Sequence, residues 1–124
     1  MDVSRLPVTV VEKWSAESLS EGFVPFPKKL IRCLHRLFPG EDAMSQLQAL
    51  LAIVDFKRPN LTRAPSLSYL AFLAGLTESD FEDALRALEA RNYVRTSGDN
   101  NGLTISLEGL LSAINKEAQA QPIP

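Results

Sequence analysis

SLSYLAFLAGLTESDFEDALRALEARNYV, residues 66–94, decides the fold. Ser66 offers a capping oxygen directly before Leu67, Leu70, Ala71 and Ala74, which recur at helical spacing. Gly75 follows at the position where a helix ends in the left-handed conformation. Thr77 then caps a second helix that places Phe81, Ala84, Leu85 and Leu88 on one face, and Arg91-Asn92 marks its end.

Two helices separated by a tight glycine turn make a helix-turn-helix pattern. Downstream the period changes: residues 93–97 and 103–107 alternate, with Leu103, Ile105 and Leu107 on one side and the turn-rich GDNNG between the runs. That pattern predicts a short hairpin, the wing. Upstream, Pro27 suits a helix start, and Leu30, Ile31, Leu34, Leu37 and Phe38 recur until Pro39-Gly40 stops a leading helix. A next helix begins near Glu41 or Asp42 with Met44, Leu47, Leu51 and Val54 as its stripe, widened by Leu50 and Ile53. Leu107, Leu110, Leu111 and Ile114 support a final helix to about Ala118.

The expected fold class is therefore mainly α with a small β-hairpin: a winged helix-turn-helix with an extra leading helix and a C-terminal helix. Residues 1–21 read as an N-terminal arm or extended segment holding the alternating run VTVV at 8–11. Residues 22–118 read as the winged-helix domain, and 119–124 as a flexible tail.

The 124 residues suit one domain with an ordinary core. With 45% hydrophobic and 23% charged residues, the composition matches neither a disordered chain nor a membrane protein. The first residues lack a secretory pattern and a lone cysteine forms no internal disulfide, so the expected location is the cytoplasm. No cluster of Cys and His has metal-ligand spacing, no glycine-rich phosphate loop follows a strand, and no cofactor or small-molecule substrate is evident. Cys33 and His35 lie two residues apart, on different sides of a helix, and read as a packing residue and a surface residue rather than as nucleophile and base. The expectation is a protein that binds and does not catalyse.

Residues 66–94 resemble the general winged-helix pattern, in which a third helix ending in LEARxYV leads into the hairpin. Transcription regulators, replication initiators and protein-docking modules share it. A narrower likeness covers about residues 22–117: the approach FVPFPKKLI at 23–31, a following helix, PSxxxLA from Pro65, and GDNNGLTISLEGLLSAINKE at 98–117. This order resembles the N-terminal domain of DnaD-type replication-initiation (primosome) proteins. The resemblance implies self-association and partner contacts, with single-stranded DNA binding left to a separate C-terminal domain in that family. The chain ends where that second domain would begin, so the resemblance carries over no DNA-remodelling activity, whether the chain is a fragment or acts alone. Plasmid and phage replication proteins and MarR-like regulators are similar as well.

Charge separates two functional readings. A groove-reading third helix presents its outward face to DNA, yet residues 77–91 hold five acids (Glu78, Asp80, Glu82, Asp83, Glu89) against Arg86 and Arg91. Ser79, Asp83 and Arg86 turn outward beside Glu82, and Arg86 alone suits a bidentate guanine contact. The wing has Arg95 at its root and Asp99 at its tip. Positive charge lies instead on Lys28, Lys29, Arg32 and Arg36 of the leading helix, read as a solvent-facing stripe, and on Lys57, Arg58 and Arg63 of the connector. These residues serve either an ordinary solvated face or backbone contacts to DNA. DNA binding leads on the strength of the fold. The alternative is a protein-interaction and oligomerisation module whose acidic third helix, with Glu82 and Asp83, docks a basic partner. Trp14, Phe23 and Phe26 would then serve partner contact or a homodimer, unless they cover the domain's own sheet.

Overall fold

A computed structural model describes residues 12–21, 24, 27–56 and 65–120. The expectations placed on residues 8–11, on Phe23 and Phe26, on Lys57, Arg58 and Arg63, and on residues 121–124 lie outside the described residues.

A helical turn at 12–14 and a run of turns containing buried Leu19 precede α1 (Lys28–Leu37). Then follow α2 (Ala43–Phe56), α3 (Leu67–Ala74), α4 (Glu78–Ala90), β1 (Arg95–Asp99), β2 (Gly102–Ser106) and α5 (Glu108–Ala120). The described chain is mainly helical with one two-stranded antiparallel hairpin. α2 packs on both α3 and α4, α3 packs on α4, and α1 packs on α5. Phe81 and Leu88 of α4, Leu50 and Ile53 of α2 and Leu70 of α3 are fully buried. Each such side chain contributes about 1.5–3 kcal/mol through removal from water.

The local signals between residues 66 and 92 act as their chemistry dictates. Ser66 Oγ accepts from the Tyr69 N–H at 3.2 Å, and Thr77 Oγ1 accepts from the Asp80 N–H at 3.0 Å. Gly75 takes φ 73°, which lets the Leu76 N–H reach back to the Ala71 carbonyl at 3.0 Å. Asn92 performs the same turn at the end of α4 with φ 62°, and the Tyr93 N–H returns to the Leu88 carbonyl at 3.0 Å.

The hairpin is shifted from its expected position. Its register runs from Arg95↔Ser106 to Asp99↔Gly102, leaving a two-residue turn at Asn100 and Asn101. Asp99 Oδ1 accepts from the Asn101 N–H at 2.9 Å, so a side chain holds the tip. Tyr93 and Val94, expected in the first strand, precede it and are buried. Two further bonds of 2.8 Å fasten the hairpin to the start of α3, from the Leu103 N–H to the Pro65 carbonyl and from the Leu67 N–H to the Asn100 carbonyl.

Three helical faces differ from the sequence reading. In α1 the buried set is Leu30, Cys33 and Leu37, while Ile31 is 54% exposed, because contact with α5 centres the inner face on Cys33. In α2 the buried set is Gln46, Ala49, Leu50, Ala52 and Ile53, and Met44 is exposed. Arg91 explains the inward Gln46: its Nε donates to Gln46 Oε1 at 3.1 Å, satisfying a buried amide. α5 continues to Ala120 rather than Ala118, with Leu110 and Ile114 inward and Leu111 exposed.

Tyr93 joins several of these elements. Its hydroxyl donates to the Leu37 carbonyl at 2.6 Å, its ring meets Phe38 edge-on at 5.5 Å, and its carbonyl accepts from the Leu110 N–H at 2.9 Å. Burial pushes the hydroxyl above its ordinary value of 10.0, against the weaker opposing influence of Arg91. An unfolded tyrosine ionises near that ordinary value, so above it the unfolded chain sheds a proton that the folded chain retains. Stability from this group is complete below pH about 10 and falls as pH rises beyond it. Tyr93→Phe leaves the Leu37 carbonyl without its partner and is expected to cost about 1–3 kcal/mol in urea unfolding at neutral pH. The same variant should lose less stability than the parent between neutral pH and pH about 11.

The start of α5 sits against the end of α4. A Cβ on Gly109 would collide with the Asn92 carbonyl oxygen, a backbone atom held by the turn. Gly109→Ala is therefore expected to destabilise by about 1–3 kcal/mol or more, read as a lowered melting temperature, although alanine favours helices generally.

Candidate interaction surface

α4 presents its charge outward because Phe81, Ala84, Leu85 and Leu88 hold the opposite side in the core. Glu78, Ser79, Asp80 and Asp83 are exposed, and Glu82 is half-buried. Glu78 and Asp80 occupy the first turn, where the N-terminal end of the helix dipole favours carboxylates. Arg86 donates through Nη2 to Glu82 Oε1 at 2.6 Å, one helical turn away. That hydrogen bond, followed by the Glu82 charge, raises the Arg86 pKa above its ordinary value. The outward arginine thus pairs with a carboxylate of its own helix while its side chain stays largely in solvent.

The basic residues of α1 do not form one free stripe. Lys28 and Arg32 are exposed as expected. Lys29 is exposed, and its Nζ donates to Asn115 Oδ1 at 3.4 Å. Arg36, expected in solvent, is half-buried against α5: Nη2 donates to the Glu117 carbonyl at 3.0 Å and lies 3.3 Å from Glu117 Oε2. Its Nε is buried without a partner among the described residues. The cause is the α1 and α5 contact, which brings residues 81 positions apart together.

Elsewhere, Arg95 is exposed at the start of β1, opposite Ser106. Trp14 is 64% exposed and so does not cover the core. His35 is exposed while Cys33 is buried. Among the described residues no three His, Cys, Asp or Glu side chains are grouped to hold a metal ion, and no helix is long and apolar enough to cross a membrane.

The structure adds a feature that the sequence reading missed. Between α2 and α3 runs an open groove of about 190 Å³, lined by Val24, Leu51, Leu73 and Ala74 together with Gln48 and Asp55. Gln48 Nε2 donates to the Ala74 carbonyl at 3.1 Å toward one end. Toward the other, the Phe56 and Tyr69 rings meet edge-on at 5.6 Å. Phe72 stands 76% exposed on α3. A signal was present in LSYLAFLA, which is apolar nearly all round although only Leu67, Leu70, Ala71 and Ala74 are needed inward.

The Arg36 contact is open to a double-mutant cycle. With both side chains about one-third exposed, Arg36→Met and Glu117→Gln should couple by about 0.5–1 kcal/mol at low salt, with the coupling reduced at about 1 M salt. Additive effects at low salt would mean that the Glu117 carboxylate adds nothing to the bond between Arg36 and the Glu117 carbonyl. Compared with known proteins, the chain matches no family model, no curated protein and no solved structure.

Proposed function

We propose that the chain is a non-catalytic winged-helix protein-interaction module of the replication-initiation or gene-regulation type. In this reading α3 and α4 form the helix-turn-helix and the hairpin is the wing. One observation carries the reading: the outward face of α4 holds the carboxylates of Glu78, Asp80 and Asp83, and its one exposed cation, Arg86, pairs with Glu82. A helix of that charge is repelled by phosphates, which supply most non-specific DNA affinity. The same face attracts a basic protein surface and speeds the encounter with it.

A second reading rests on a different observation. Lys28, Lys29 and Arg32 are exposed together on α1 and would contact DNA phosphates without sequence preference. Duplex-DNA binding measured across a salt series separates the two. The protein-interaction reading expects affinity too weak to detect at physiological salt, and a gain when Glu82 and Asp83 are both replaced by Lys. Tight wild-type binding with a logarithmic salt slope near about −3, flattened by Lys28→Glu with Arg32→Glu, would put the phosphate-contact reading in its place.

A further inference from the structure

We infer that Asn101 is a self-modification site: the Gly102 backbone nitrogen attacks its side-chain amide, and the product uncouples the hairpin tip from α3. Asn101-Gly102 is the single Asn-Gly step in the chain. The inference holds whichever partner the domain takes, because water is the one co-reactant. In the first step the Gly102 N–H gives its proton to a solvent base and the nitrogen bonds to Asn101 Cγ. The bond from Cγ to Nδ2 breaks, ammonia leaves, and a five-membered imide closes. Water then adds to one of the two imide carbonyls and opens the ring. Opening one way gives aspartate. Opening the other way gives an isoaspartyl link, in which the main chain runs through Cβ and Cγ. Either product exchanges the amide for a carboxylate, which adds one negative charge to the formal −2.

The fold leaves this step open at Asn101 and hinders it at the other described asparagines. Asn101 is exposed at the hairpin tip, and its side-chain amide has no hydrogen-bond partner among the described residues. Gly102 has no Cβ beside its nitrogen, and its pair with Asp99 adjoins the turn, so opening that one pair frees the nucleophile. For Asn100 the attacking nitrogen would be that of Asn101, which donates to Asp99 Oδ1 at 2.9 Å. For Asn92 it would be that of Tyr93, which donates to the Leu88 carbonyl at 3.0 Å. Asn115 lies inside α5, and its Oδ1 accepts from Lys29. The consequence of the step reaches α3. The Asn100 carbonyl accepts from the Leu67 N–H and the Leu103 N–H donates to the Pro65 carbonyl, both at 2.8 Å, so the chain is fastened to the start of α3 on either side of Asn101. An isoaspartyl link lengthens the main chain by one carbon between these two anchors and pulls both bonds out of geometry.

Peptide mapping by mass spectrometry of the full chain, incubated in mildly alkaline buffer, tests the chemistry. Asn101 should gain about one dalton before Asn92, Asn100 or Asn115 does, and faster as pH rises, since the attacking nitrogen must lose its proton. Gly102 has no positive φ, so Gly102→Ala places a Cβ beside that nitrogen without backbone strain and should slow the gain about tenfold. Asn101→Gln, at an exposed position, should remove the gain nearly completely, because its longer side chain closes a six-membered ring poorly. Amide hydrogen exchange of the isoaspartyl chain should show Leu67 and Leu103 exchanging about tenfold faster, with Tyr93 and Leu110 unchanged. Conversion of Asn101 no faster than that of Asn92 or Asn115 would overturn the site. Equal conversion in the parent and in Gly102→Ala would overturn the attack by Gly102, and unchanged exchange at Leu67 and Leu103 would overturn the uncoupling from α3.

Discussion

The hydrogen bond from the Tyr93 hydroxyl to the Leu37 carbonyl is the contact on which the arrangement of helices depends. A helix end leaves carbonyls without partners, and Leu37 closes α1 in a buried place where water cannot supply one. Tyr93 fills that need with a side chain whose backbone is itself fixed. Its N–H completes the turn at the end of α4, and its carbonyl receives the Leu110 N–H of α5. One residue therefore sets the end of α1, the exit from α4 and the entry to α5. The chain can place the hairpin where it does because Tyr93 and Val94 are spent on the core before pairing begins at Arg95.

That junction also explains the fate of the basic residues. α5 leaves the hairpin beside Asn92, close enough that only a glycine fits at position 109, and it then packs along α1. The far part of α5 brings Glu117 to Arg36 and Asn115 to Lys29. Partial burial strengthens such a pair beyond an open surface bridge, yet each partner gives up hydration to make it. Positive charge that looked available along one stripe is consequently divided between solvent, at Lys28 and Arg32, and an internal contact, at Arg36.

The parts of this architecture legible in the sequence are those decided within a few residues. Ser66 and Thr77 cap because their oxygens reach the N–H three positions on, and Gly75 and Asn92 turn the chain by their own backbone preferences. The inward face of α4 was legible too, because its polar and apolar residues alternate sharply enough to fix the phase. α2 was not, since AMSQLQALLAIVDF is apolar on most sides and its rotation is set by two helices at once and by Arg91 reaching Gln46. The sequestering of Arg36 and the groove beside Asp55 depend on residues brought together across α1 and α5 or across α2 and α3. Periodicity carries no information about either.

The formal charge of −2 conceals a separation that matters more than its sum. Lys28, Lys29 and Arg32 are exposed on α1, while Glu78, Asp80 and Asp83 are exposed on α4 and Tyr69 and Phe72 on α3. Within a Debye length of about 8 Å at physiological salt, an approaching molecule senses the local field and not the total. The two surfaces thus present local fields of opposite sign. On the α3 and α4 side the apolar surface of Phe72 and the groove adds a contribution that salt does not weaken. In the proposed reading, binding there combines a charge-dependent encounter with a salt-resistant contact.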